Sequence, residues 1–158
     1  MVLIMNEDIK ITRLQDNLSS LRKLAGWTAE ELGNQLGVTK QTISNLETKR
    51  TPMNKMQYIA IRAVFEKRCY ELGENQILKQ AIDILVDQDI DDVAGNEYEN
   101  IKNGFSEAAN AAASGVSATA LKGIINTVIP GAAIVSTVSD ILEHVSLPWL
   151  ELNKNKKK

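Results

Sequence analysis

The chain has 158 residues and a mass of 17.4 kDa, with 18 Lys+Arg against 20 Asp+Glu and a formal net charge of -2. Cys69 and His144 are its only cysteine and histidine, which excludes a disulfide scaffold and zinc sites built on Cys/His clusters. An apolar fraction of 44% and a charged fraction of 24% exclude a wholly disordered chain and fit one ordinary domain or two small ones.

The near-neutral total conceals two halves. Residues 1–72 carry 11 Lys+Arg and 8 Asp+Glu, whereas residues 73–158 carry 7 and 12. The first half is basic. The second is acidic apart from four lysines in the last six residues. Composition shifts too, because residues 106–139 are dense in Ala, Gly, Ser and Thr. We therefore divide the chain into 1–72, 73–152 and a solvated, disordered lysine tail, 153–158.

At the N-terminus, the apolar run Val2 to Met5 is short and is followed by acids. That is no signal peptide, and the expectation is a cytoplasmic protein. Leu14, Leu18, Leu21 and Leu24/Ala25 recur at helical spacing and predict a helix over about 8–25, stopped by Gly26. Thr28-Ala29-Glu30-Glu31 reads as a capping box opening a short helix to Leu36, with Leu32 and Leu36 inward. Gly37 permits a left-handed turn. Thr39 then caps a helix from Lys40 to about Thr48, whose Ile43 and Leu46 face the core. Thr51-Pro52 starts a further helix, with Pro at its first position and Met56, Ile59, Ala60, Ala63 and Val64 as the inner stripe.

Two short helices joined by a glycine-led turn follow the helix-turn-helix plan. The outer face of the second helix offers Lys40, Gln41, Ser44 and Asn45. Gln and Asn can pair bidentately with adenine and Lys can donate to guanine, so these four are the candidate base readers. Thr28, Thr39 and Thr42, near helix starts, and Lys49 and Arg50, in the following loop, are the candidate phosphate contacts.

The segment LSSLRKLAGWTAEELGNQLGVTKQTISNLETKRTP resembles the Cro/lambda-repressor family, the xenobiotic-response-element type of helix-turn-helix. The resemblance spans Asn17 to Val64. Leu32, Gly37-Val38, Ile43, Leu46-Glu47 and Pro52 fall at that family's core and boundary positions. The resemblance implies that Arg22 and Glu47 form a structural ion pair between the first helix and the recognition helix. It also implies a dimer on a two-fold operator. Three departures stand out. Ala29 replaces a frequent phosphate-binding glutamine. Gly33 replaces a usual alanine. Thr48-Lys49 replaces the usual Asn-Gly, so that turn lacks its glycine.

In the second half, Ile77, Leu78, Ala81, Ile82, Leu85 and Val86 make one apolar stripe and predict a helix over about 74–88. The acids Asp87, Asp89, Asp91 and Asp92 lack the glycine and terminal glutamate of a calcium loop and read as a solvated turn. Small residues recur every four positions, at Ala108/Ala112, Ala109/Ala113, Gly115, Thr119, Gly123, Thr127 and Gly131. Such spacing lets another helix approach closely. Pro130-Gly131 splits this region into predicted helices over about 106–128 and 131–146. The 17 uncharged residues 123–139 are diluted by Asn, Ser and Thr, so a soluble packing or dimer element is preferred to a membrane hairpin flanked by Trp149 and the lysine tail.

No enzyme emerges. Glu143 and His144 are sequence neighbours on different helix faces, Cys69 reads as a core or half-buried thiol, and the half lacks the alternating strands of a self-cleaving Ser/Lys peptidase. No cofactor is implied. The expected protein is all-α, with a lambda-repressor-like bundle of four to five helices and a helical dimerisation or regulatory region. Its partner is double-stranded DNA, bound as a homodimeric repressor of phage or mobile-element type. The alternatives are an antitoxin or protein-binding adaptor on the same fold, or a membrane-tethered regulator.

Overall fold

A computed structural model describes residues 2–73, 77–88, 95–117, 120, 121, 123 and 124. All regular structure among them is helical: α1 (Val2–Asp16), α2 (Leu18–Leu24), α3 (Ala29–Leu36), α4 (Lys40–Glu47), α5 (Lys55–Leu72), α6 (Ile77–Ile82) running into a π-helical turn (Asp83–Asp87), and α7 (Gly95–Ala113). The helix expected over 131–146 lies outside the described residues, as do Asp89, Asp91, Asp92, Thr119, Thr127, His144, Trp149 and the lysine tail. Among the described residues no helix is long and apolar enough to cross a membrane. Most of the uncharged stretch 123–139 lies beyond them.

The leucine stripe of the first half is buried as a unit, with Leu14, Leu18 and Leu21 all at 0% exposure. Yet it sits on two helices, not on the single helix expected over 8–25. The break is Asn17, at φ -108 and ψ 6. Its amide side chain donates to the Arg13 carbonyl at 2.8 Å, beside its own backbone N–H at 3.1 Å. Asparagine side chains compete in this way with the helical ladder. Asn17 also donates to the Tyr98 hydroxyl at 3.1 Å, and that hydroxyl donates to the Leu85 carbonyl at 3.0 Å. The buried Arg13 guanidinium lies 4.6 Å over the Tyr98 ring and donates to the Gln88 carbonyl at 2.7 Å. One polar network thus joins α1, the π-helical turn and α7.

The helix after Pro52 also differs from expectation. It begins at Lys55, where Asn54 and Gln57 form a reciprocal capping box. Pro52 stays in the loop, and Met53 turns inward. The buried residues of α5 are Ile61 and Phe65, while Met56 and Ile59 are 78% and 51% exposed. Phe65 stacks on Trp27 with centroids 6.2 Å apart, and Arg68 covers the other ring while donating to the Ala25 carbonyl. This contact with the α2–α3 turn sets the rotation of α5. Apolar side chains stand on more than one face of that helix, so spacing alone had several solutions.

The stripe Ile77, Leu78, Ala81, Ile82, Leu85 and Val86 is buried throughout, as expected. It continues through the π-helical turn, whose Asp87 carboxylate is gripped by both Arg62 terminal nitrogens. Arg62 also donates to the Tyr58 hydroxyl at 3.1 Å. Burial pushes the Asp83 carboxyl up to about 6, with Lys79 opposing, Asp87 adding to the rise and Arg62 opposing.

The helix expected over about 106–128 instead begins at Gly95 and ends at Ala113. Gly115, at φ 88, closes it: its N–H reaches the Ala112 carbonyl and that of Val116 reaches Ala111. Only glycine takes such a φ without strain. Ala108 and Ala109 are fully buried, with Phe105, where α7 lies along α2. Their small side chains therefore admit a helix of the same chain. Residues from α1 through Leu121 contribute to one buried cluster.

Candidate nucleic-acid interface

The sequence Thr28 to Arg50 builds its geometry locally. The Thr28 hydroxyl accepts from the Glu31 amide at 3.1 Å, and the Glu31 carboxylate accepts from the Thr28 amide at 2.7 Å. Those Thr28 bonds hold the Glu31 carboxyl below the usual carboxylate range. Gly37 ends α3 at φ 71. The buried Gly33 permits a very close approach, because a Cβ there would stand 2.7 Å from the Val38 carbonyl oxygen. Thr39 then caps α4, its hydroxyl accepting from the Thr42 amide at 3.2 Å and lying 3.1 Å from the Thr42 hydroxyl.

Ile43 and Leu46 are 0% and 2% exposed and seat α4 on the core. The opposite side carries Lys40 and Gln41, both exposed, with Ser44 and Asn45 half-buried beside them. Gln41 donates its side-chain amide to the Asn45 side-chain oxygen Oδ1 at 2.9 Å. The two amides are thereby oriented relative to each other before any ligand arrives. The four base-reading candidates thus lie on α4, with Thr39 and Thr42 at its start and Lys49 and Arg50 just past its end. Thr28 stands apart in sequence, at the start of α3, and its hydroxyl is engaged in that helix's own cap.

Arg22 on α2 donates through Nε and Nη2 to the Glu47 carboxylate at the end of α4. It also donates to the Trp27 carbonyl at 2.8 Å. Both side chains are largely buried, at 12% and 13% exposure. A pair so placed fixes the angle between α2, which flanks the α3–α4 pair, and α4.

The turn without a glycine is built on a lysine. Lys49 has φ 59, the one positive φ of a non-glycine residue among those described. Its N–H reaches the Leu46 carbonyl at 3.2 Å, and the Arg50 N–H reaches Asn45 at 2.9 Å. These are the two bonds of a Schellman ending, with lysine where glycine is usual. Two residues that sequence reasoning missed support it from α1. The Gln15 side-chain amide donates to the Leu46 and Thr51 carbonyls at 3.0 and 2.7 Å, and its oxygen accepts from the Met53 amide at 2.9 Å. Asp16 forms an ion pair with Lys49. No local signal marks either residue, because their partners lie more than thirty positions away.

Residues 18–56 match the family described as helix-turn-helix. This segment is a lambda-repressor-like helix-turn-helix domain. In it α3 and α4 are the two helices of the motif, Gly37 leads the turn between them, and α2 and the start of α5 flank them. The helix-turn-helix family is one of DNA-binding transcription regulators. No curated protein and no solved structure matched the chain.

Proposed function

We propose that the protein is a sequence-specific repressor that binds operator DNA as a homodimer, of the kind found in phages and mobile elements, and acts in the cytoplasm. The observation that carries this reading is the division of α4. Ile43 and Leu46 anchor one side in the core, and Lys40, Gln41, Ser44 and Asn45 stand on the other. An α-helix so mounted fits a major groove. Linked as they are, Gln41 keeps its side-chain oxygen and one N–H, and Asn45 keeps its amide NH2, for a base edge, complementary to the donor and acceptor that adenine offers. Lys49 and Arg50 flank the helix end and reach for the phosphate backbone, with Thr39 and Thr42 at its other end.

One recognition helix reads few base pairs, and about 1–3 kcal/mol per bidentate contact does not reach nanomolar binding. Two copies on a two-fold site supply the remainder, joined through the C-terminal region. The test is selection of bound duplexes from a random pool, with native mass measurement of the complex. Gln41→Ala changes the preferred base at one or two positions, and Arg50→Ala weakens all duplexes alike. If both variants select and bind as the wild type does, the assignment of α4 fails. Copurification of a basic protein without salt-dependent DNA binding would favour a protein-binding adaptor instead.

A further inference from the structure

The loop after α4 is held from behind by the last residues of α1. Gln15 bonds to Leu46, Thr51 and Met53 and so fixes the loop on both sides of Lys49. Asp16, the next residue, brings its carboxylate onto the Lys49 ammonium. The lysine side chain is 59% exposed and the aspartate 22%, so the ammonium is open to solvent while its partner is tucked against the fold. Lys49 is held there on a left-handed backbone, at φ 59. Lys49, one of the exposed cations at the ends of α4, therefore already has a counterion belonging to the protein.

We propose that Asp16 competes with the DNA phosphate for Lys49 and so lowers affinity for every duplex without altering which bases are preferred. The inference rests on the DNA-binding reading of α4. A phosphate contact is independent of sequence and its strength appears in the salt dependence of binding. A phosphate approaching Lys49 must displace the Asp16 oxygen, or share the ammonium with it at the cost of like-charge repulsion. The same carboxylate, first by hydrogen bond and then by charge, pushes the Lys49 ammonium above its ordinary value. Asp16 is a positioning residue: it touches Lys49 and not the bases.

The test is a double-mutant cycle of Asp16→Asn and Lys49→Gln in the full chain. Binding is measured across a salt series, to a labelled random-sequence duplex pool and to the duplex selected by the wild type. Asp16→Asn tightens both by about two- to fivefold, the range of an exposed ion pair. It also steepens the logarithmic salt slope by about 0.9, one additional phosphate contact. In the Lys49→Gln background the same change has no effect on affinity or slope. Asp16→Ala repeats the comparison without an amide in place of the carboxylate, and thermal melting confirms that each variant is folded. Unchanged or weaker binding by the folded Asp16 variants overturns the inference alone. So does an equal gain in the Lys49→Gln background, which would mark a general charge effect. A wild type that binds no duplex overturns the DNA-binding reading, and this inference with it.

Discussion

Gly33→Ala tests whether the α3–α4 turn is as tightly built as its backbone indicates. Alanine is the better helix former by about 1 kcal/mol, and helix propensity alone therefore predicts a gain in stability. The tertiary structure predicts the opposite. An added Cβ meets the Val38 carbonyl oxygen at 2.7 Å and the Thr39 carbonyl carbon at 3.3 Å. Ordinary C···O contacts begin near 3.3 Å, so the turn must retreat by roughly half an ångström. Both neighbours are backbone, and the turn is tied to this same residue, since the Gly37 and Val38 amides both donate to the Gly33 carbonyl. Overpacking of this kind costs about 1–3 kcal/mol. Set against the propensity gain of about 1 kcal/mol, the net is a loss of up to about 2 kcal/mol. Urea denaturation reads it as a lower midpoint at unchanged m-value. Because Thr39 caps α4, the displaced turn also lowers DNA affinity. A Gly33→Ala protein as stable as the wild type, or more so, refutes the argument.

Two further predictions concern half-buried polar groups outside the motif. Tyr98→Phe keeps the ring under Arg13 but removes the hydroxyl shared by Asn17 and the Leu85 carbonyl. Chemical denaturation should show a loss of about 1–3 kcal/mol, and a loss near zero would mean that the network does not join α1 to α7. Asp83, pushed up to about 6 by burial, binds its proton more tightly folded than unfolded. Its protonation therefore stabilises the fold fully below the unfolded value near 4, and that contribution is lost as pH rises through about 6. Asp83→Asn should match the wild type near pH 4 and exceed it by about 1–2 kcal/mol above pH 6, after allowance for solvent screening. A difference independent of pH over that range would show that the carboxyl is not perturbed.

What the sequence determined by itself was set by interactions within a few residues. The Thr28–Glu31 box, the Thr39 cap, the glycine at the α3 end and the inward pair Ile43 and Leu46 are local, and each appears in the structure where its spacing placed it. The stripe from Ile77 to Val86 was legible for a related reason: its apolar residues fall on one face and leave a single way to bury it. Tertiary structure decided the remainder. The phase of α5 follows from Phe65 docking on Trp27, since that helix has apolar side chains on more than one face. The break at Asn17 depends on a side chain that bridges to Tyr98, eighty-one positions away. Lys49 adopts a backbone that lysine disfavours within a loop bonded by Gln15 and beside the carboxylate of Asp16. Caps and periodicity report only near neighbours along the chain. The rotation of a helix, the break in a helix and the setting of a loop depend on partners that only the folded chain brings within reach.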